Sequence, residues 1–243
     1  MQIQLHNTSF KKNFLEQISR ISDSAVINLK DSTLECLTNS PDNSIILSTS
    51  FKVESDPPAS TASINVGDVK KLIRAFDCIS SDNITFKVDS NNITYSDNDV
   101  QFKYHLLENG IISQPKINIQ KLESVNFDCE FTLTDKAFSD LIKASTFSTD
   151  SNKIYLTSYD SVLKGNLTDR SRHNVDSFEI NMCNNFVGNK IDNLCINFEV
   201  FRILSTLRLS NINCKIASSL GVVLFSFENN ILKTKYIVSS LTK

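Results

Sequence analysis

The chain has 243 residues, a net charge of −2 and 40% hydrophobic residues, among them 16 Phe and no Trp. This composition supports a substantial core, excludes disorder over most of the length, and allows one large domain or two of about 100–125 residues. With a sequence pI of about 5.9, bulk positive charge cannot hold nucleic acid, so any DNA contact must come from one face on which positive charge is concentrated.

Read in chain order, four segments share one plan: a short strand, a helix of about three turns, then two or three strands. In the first, residues 2–6 alternate like a strand, and a helix is predicted over 8–22 with Asn7 or Thr8 as N-cap. Strands are predicted over 25–29, 33–38 and 44–53, with turns at Lys30-Asp31-Ser32 and Pro41-Asp42-Asn43. The second has a strand at 62–66, a helix over 67–79 and strands at 84–88, 93–96 and 100–107. The third has a strand at 129–133, a helix over 134–147 and strands at 153–158, 162–167 and 177–182. The fourth has a strand at 194–197, a helix over 198–209 and strands at 213–217, 222–228 and 232–238. Between the second and third segments, residues 108–128 hold Gly110 and Pro115 and no strong element. They read as a connector, which gives domains at 1–109 and 128–243 joined by 110–127.

Each predicted helix carries one apolar stripe. Val69, Leu72, Ile73 and Phe76 recur at i, i+3, i+4, i+7, as do Val200, Ile203, Leu204 and Leu207, while Phe14, Ile18 and Ile21 take i, i+4, i+7. Phe138, Leu141 and Ile142 begin the same pattern. At about 100° per residue, Lys12 and Arg20 point away from the first stripe, with Lys11 on its flank. Lys70, Lys71 and Arg74 point away from the second, Lys136 and Lys143 from the third, and Arg202 from the fourth, with Arg208 on its flank. These helices hold ten basic residues against six acidic ones on a chain that is acidic as a whole. On one helix such a face is an ordinary solvated surface; the same asymmetry on four helices is what points to a polyanion.

The stretches INVGDVKKLIRAF, FTLTDKAFSDLIKASTFSTDSNKIYLTS and FEVFRILSTLRLSNINCKIASSLGVVLFSFENNILKTKYIVSSL resemble DNA polymerase sliding clamps of the phage and proliferating-cell-nuclear-antigen type. The likeness runs through nearly the whole chain as an order of elements and includes no catalytic motif. It departs from the eukaryotic pattern where Val238-Ser239-Ser240 replaces a small-Pro turn. The resemblance implies an α+β fold of two similar clamp domains, each of two strand-helix-strands units, with sheets outside and helices lining a ring. It implies a homotrimer closed head to tail, and as partners duplex DNA bound without sequence preference, a replicative polymerase and a clamp-loader ATPase. DNA contact falls to the ten basic residues just named.

By resemblance the subunit seam would pair strand 100–107 of one protomer with 177–182 of the next, using Phe102, Tyr104, Leu106, Phe178 and Ile180. A partner-peptide groove would lie beneath the connector, which offers Ile111, Ile112, Ile117, Ile119 and Leu122, with a floor of Ile45, Ile46, Val222, Tyr236, Val238 and Ser239.

The sequence lacks a phosphate-binding loop, G-x-S-x-G, H-E-x-x-H and G-x-G-x-x-G, which argues against an enzyme. The six cysteines, Cys36, Cys78, Cys129, Cys183, Cys195 and Cys214, make no C-x-x-C pair and lie near none of His6, His105 and His173, so neither zinc nor another cofactor is expected. Asp97 and Asp99 could hold a metal but read better as a turn, and Arg170 and Arg172, beside His173, could touch phosphate but read better as a solvated loop. With no leader segment and no apolar run of about 18 residues, the reading is an intracellular protein, in a prokaryotic cytoplasm or a eukaryotic nucleus, without a membrane partner. A herpesvirus-type processivity factor acting as monomer or dimer, an enzyme with a dispersed site, and a purely structural β-rich protein stay open as alternatives.

Overall fold

The computed structural model describes residues 1–56, 61–117, 125–147, 151–207 and 212–241. It divides into two compact units, one of Met1–Pro41, Ile46–Lys116 and Glu228–Thr234, the other of Asp42–Ile45, Ile117–Phe227 and Lys235–Lys243. Each unit takes in a short segment from the other half of the chain.

The first unit opens with β1 (Gln2–His6), followed by a continuous helical segment, α1, made of an α-turn Asn7–Phe10, a π-turn Lys11–Leu15 and an α-turn Glu16–Ile21. Then come β2 (Ala25–Lys30), β3 (Thr33–Asn39), β4 (Ile45–Lys52) and β5 (Glu54–Asp56). The second repeat supplies β6 (Ala62–Val66), α2 (Val69–Asp77), β7 (Asn83–Val88), β8 (Asn92–Ser96) and β9 (Gln101–His105). Each repeat's opening strand pairs in the other repeat: β1 is antiparallel to β7, and β6 to β2. One sheet therefore runs β5-β1-β7-β8-β9, and the remaining strands pair as β4-β3-β2-β6.

The second unit repeats the device. Its elements are β10 (Cys129–Leu133), α3 (Asp135–Phe147), β11 (Lys153–Tyr159), β12 (Val162–Leu167), β13 (Phe178–Cys183), β14 (Leu194–Asn197), α4 (Glu199–Thr206), β15 (Ile212–Ala217), β16 (Val222–Glu228) and β17 (Leu232–Ser239). Here β10 pairs with β15, and β14 with β11, so the strands order as β13-β12-β11-β14 and β10-β15-β16-β17. β17 is shared: its residues through Thr234 belong to the first unit and those from Lys235 to the second.

The turns explain part of this regularity. Asp31 and Ser32 both have positive φ (48° and 57°), and so do Asp160 and Ser161 (43° and 64°). Two left-handed residues between antiparallel strands make the hairpin turn whose twist matches the strands. The same dipeptide thus closes β2–β3 in the first repeat and β11–β12 in the third. The turn expected at Asp97 and Asp99 also forms, with Asp97 Oδ1 accepting from the amides of Asp99 (2.9 Å) and Val100 (2.6 Å).

The apolar stripes face inward. Val69, Leu72 and Phe76 of α2 are buried, as are Val200, Ile203 and Leu204 of α4. In the first unit Phe10 stands 5.6 Å from Phe14 and from Phe76, and 5.7 Å from Phe51 of β4, an aromatic centre in which each contact adds about 0.5–1.5 kcal/mol beyond burial. In the second unit, Phe201 stands 5.4 Å from Phe198 and 5.2 Å from Phe225.

Candidate nucleic-acid interface

The helix termini set where the basic side chains stand. α1 is capped by His6, whose Nδ1 accepts from the Ser9 amide at 3.3 Å, and not by Asn7 or Thr8 as the sequence suggested. Asn7 is buried instead, and its amide donates to the carbonyls of Phe76 and Ile79, both at 3.3 Å. It thereby supplies donors at the end of α2, where the last carbonyls lack helical partners. Asp68 caps α2, accepting from the Lys71 amide at 2.7 Å, and Thr134 caps α3, accepting from the Ala137 amide at 3.3 Å.

On the outer faces of these helices, Lys12, Arg20, Lys71 and Lys136 are exposed and form no ion pair among the described residues. Lys70 meets Asp23 at 2.8 Å, Arg74 meets Asp68 at 4.0 Å and Lys143 meets Asp140 at 4.0 Å, all at exposed positions. Such pairs are worth about 0–1 kcal/mol and exchange readily for a phosphate partner. Arg202 is more constrained: it meets Glu199 at 3.1 Å, donates to Asn152 Oδ1 at 2.7 Å and lies over the Phe198 ring at 5.1 Å. Lys11 departs from its expected place. Its side chain is only 14% exposed and reaches Asp77 at 2.8 Å, tying α1 to α2. Arg208 lies outside the described residues.

The strands expected to form a seam are both sheet edges, β9 in the first unit and β13 in the second. Their boundaries are shorter or shifted, Gln101–His105 for 100–107 and Phe178–Cys183 for 177–182. Tyr104 is buried in its own unit, its hydroxyl accepting from the Asp68 amide and donating to the Asp68 carbonyl, each at 2.9 Å. Its side chain packs within its own unit rather than on the open edge of the strand. Phe102 is half-buried against Phe76 and Tyr95, and Leu106 is half-buried beyond the strand's end. Phe178 is exposed beside Phe147, rings 6.2 Å apart, and Ile180 is half-buried. A cleft of about 610 Å³ runs between α3 and β13, lined among others by Lys136, Asp140, Glu179 and Ile180.

No family model matches the sequence, and no curated protein does either. Solved structures do. The PCNA of A. fulgidus, solved with the C-terminal region of FEN-1, superposes with a TM-score of 0.77 over 100% of this chain and 98% of its own, at 14% identity. The DNA polymerase sliding clamp of Bacillus subtilis gives 0.78 over 100% of this chain and 64% of its own, at 11% identity. PCNA of Entamoeba histolytica gives 0.70 at 10% identity, covering 99% and 98%. The chain has the sliding-clamp fold.

The residues expected to line a peptide groove differ in burial. Ile45, Ile46, Tyr236 and Val238 are buried, with Val238 fully so. Val222, Ser239 and Ile117 are half-buried and Ile112 likewise, whereas Ile111 is 61% exposed. Ile119 and Leu122 lie outside the described residues. No group of three His, Cys, Asp or Glu side chains among the described residues could hold a metal. Leu220, 61% exposed on a 3-10 turn beside Gly221, could not be picked out beforehand, since a single leucine in a turn has no periodic signature.

Proposed function

We propose that this protein is a DNA sliding clamp: a non-enzymatic ring that encircles duplex DNA and tethers a polymerase. The observation that carries this reading is the charge on the helices of a clamp-fold chain. Lys12, Arg20, Lys71 and Lys136 stand exposed on three helices with no ion pair among the described residues, although the chain as a whole is acidic. Lys70, Arg74 and Lys143 add cations whose carboxylate partners are weakly held at exposed positions, and Arg202 adds one that is more tightly held. Sequence-independent phosphate contacts of this kind guide a backbone without fixing a register, so the protein slides. Retention comes from closure of the ring rather than from affinity.

The ring is a homotrimer in this reading, closed by the open edges of β9 and β13. An unpaired strand edge invites pairing with another chain, and two different edges give a head-to-tail contact that closes by rotation. Phe178 and Ile180 from one protomer, with Phe102 and Leu106 from the next, pack at that seam. A clamp-loader ATPase opens it. The A. fulgidus structure holds a peptide region of a replication protein, and a comparable docking role here falls to Val222, Ser239 and the connector residues Ile117, Ile119 and Leu122. The compartment is that of the genome it serves, in a prokaryotic, phage-infected or eukaryotic cell.

Light scattering gives the oligomer mass, and retention on nicked circular against linear DNA gives the topology. A clamp stays on the circle and runs off free ends. The triple reversal Lys70→Glu, Lys71→Glu, Arg74→Glu abolishes clamp-dependent synthesis with unchanged thermal stability. A monomer at tens of micromolar that holds linear and circular DNA equally would sink the ring, and a fully active triple variant would sink the helix face.

A further inference from the structure

The loop after β12 has a definite architecture. Asp169 organises it. Its Oδ1 accepts from the amide (3.1 Å) and hydroxyl (2.6 Å) of Ser171, its carbonyl accepts from the Arg172 amide (3.1 Å), and its carboxylate faces Arg172 Nε at 3.4 Å and Lys153 Nζ at 3.8 Å. Arg170 is thereby released toward the sheet. Its guanidinium lies over the Tyr155 ring at 4.1 Å and donates to Asn193 Oδ1 at 2.6 Å.

Tyr155 belongs to the outward-facing set of β11. Ile154 and Leu156 are buried, while Lys153, Tyr155 and Thr157 are half-exposed. Beside Lys153 stands Asn152, the residue to which Arg202 of α4 donates. Arg202, Asn152, Lys153, Arg172 and Arg170 therefore follow one another from the helix around the start of β11 to the far face of the same sheet. Four cations on this path face two carboxylates that touch them, Asp169 and Glu199. Asp176 and Asp192 flank it in sequence without an ion pair to it among the described residues.

We infer that this path is a second nucleic-acid site, taking the sugar-phosphate backbone of a single strand, with Arg170 on Tyr155 as its stacking platform. The inference rests on the clamp reading only in the role of Arg202, where the path meets the helix face. A single strand suits the geometry better than a duplex because the path bends from one face of a sheet to the other. A single strand has the flexibility for that bend, whereas a duplex is stiff over about 150 base pairs. An exposed arginine over an aromatic ring offers a guanidinium on which a base can stack, and such stacking tolerates any sequence. The two guanidiniums also offer paired donors to phosphate oxygens in a way that lysines do not.

Fluorescence anisotropy with a labelled oligothymidylate, a labelled hairpin duplex and a labelled polyglutamate peptide tests this on the full-length protein. The double variant Arg170→Ala, Arg172→Ala should weaken oligothymidylate binding about tenfold at low salt. It should also flatten the salt dependence by about 1.4 in log–log slope, since each phosphate contact on a single strand contributes about 0.7. Arg170→Lys should recover the slope but not all of the affinity, because the ammonium keeps charge and loses the stacking plane. Circular dichroism melting of each variant separates loss of a contact from loss of fold, and Tyr155→Phe, which keeps the ring, should bind oligothymidylate like wild type. Undiminished oligothymidylate binding by a folded double variant overturns the proposal, as does a loss confined to polyglutamate, which would make the loop an acidic-peptide site. The helix-face reversal of Lys70, Lys71 and Arg74 keeps the two ideas apart. If it spares oligothymidylate but loses the duplex, both stand. If it spares the duplex while the loop variant loses the single strand, the helix-face reading fails and this one holds.

Discussion

Lys11 and Lys71 are chemically the same and sit on adjoining helices, yet only one is available to a phosphate. Lys11 is folded down on Asp77 with little exposure, while Lys71 stands in solvent. Lys11→Ala should cost up to about 1 kcal/mol of stability and leave the salt dependence of DNA binding unchanged. Lys71→Ala should leave the melting temperature unchanged and lower the log–log salt slope on duplex by about 0.9. A salt titration of both variants by anisotropy checks the pair. Asp128 gives a second test. Its carboxylate accepts the hydroxyl of Ser218, the Asn189 amide at 3.1 Å and the Ser218 backbone amide at 2.6 Å, and these bonds, the Ser218 hydroxyl foremost, hold its pKa below the ordinary carboxylate value. A carboxylate depressed in the folded state adds stability that is present above its unfolded value, about 3.9, and lost as pH falls through the folded one. The melting-temperature gap between wild type and Asp128→Asn should therefore be full at pH 7, begin to close near pH 4 and shrink further below it.

Among elements, the two helices of the first unit meet over aromatic rings, and Phe76 touches Phe10, Phe86 and Phe102 at 5.5–5.6 Å. Phe76→Ala leaves a cavity in that centre and should cost about 3–5 kcal/mol, measured by urea unfolding. Phe147→Ala, at an exposed ring, should cost far less. The stripes behind these contacts were legible in the sequence because helix periodicity repeats four times. The paired Asp-Ser turns were half legible: the first fell in an expected turn, and the second needs the repeat alignment to be noticed. The exchange of opening strands between repeats had no sequence signal, since any alternating strand can pair with any other until the turns and helices fix its place. β5 was missed because Glu54-Ser55-Asp56 is polar throughout, as an edge strand can be. The fate of Lys11 was hidden for a different reason. The π-turn at Lys11–Leu15 changes the angle per residue, so a projection at a constant 100° places its side chains on the wrong flank. The burial of Tyr104 and of Ile45, Ile46, Tyr236 and Val238 was hidden because a strand's alternation says which residues share a face, and nothing about what covers it.

At the scale of the whole chain, the two units are not consecutive stretches. Thr49 shares a hydroxyl hydrogen bond of 2.9 Å with Thr234, 185 residues away, and the Lys52 amide donates to the Ile231 carbonyl at 2.9 Å. Deleting everything from Glu228 onward should therefore damage the first unit as well as the second. Proton NMR of such a truncation should lose the upfield methyl signals expected of the Phe10–Phe76 core, and a spectrum that keeps them would mean that the first unit is self-sufficient. The same crossing fixes the order of events as the protein is made. An N-terminal half whose sheet waits for residues 228–234 cannot finish folding when its own last strand, β9, has left the ribosome. It must remain incomplete while more than a hundred further residues are added, and long-range closure of this kind is slow. During that interval the edge of β4 is open, so the nascent chain is exposed to pairing with other nascent copies, and its yield should depend on translation speed and on chaperones more than its final stability would suggest.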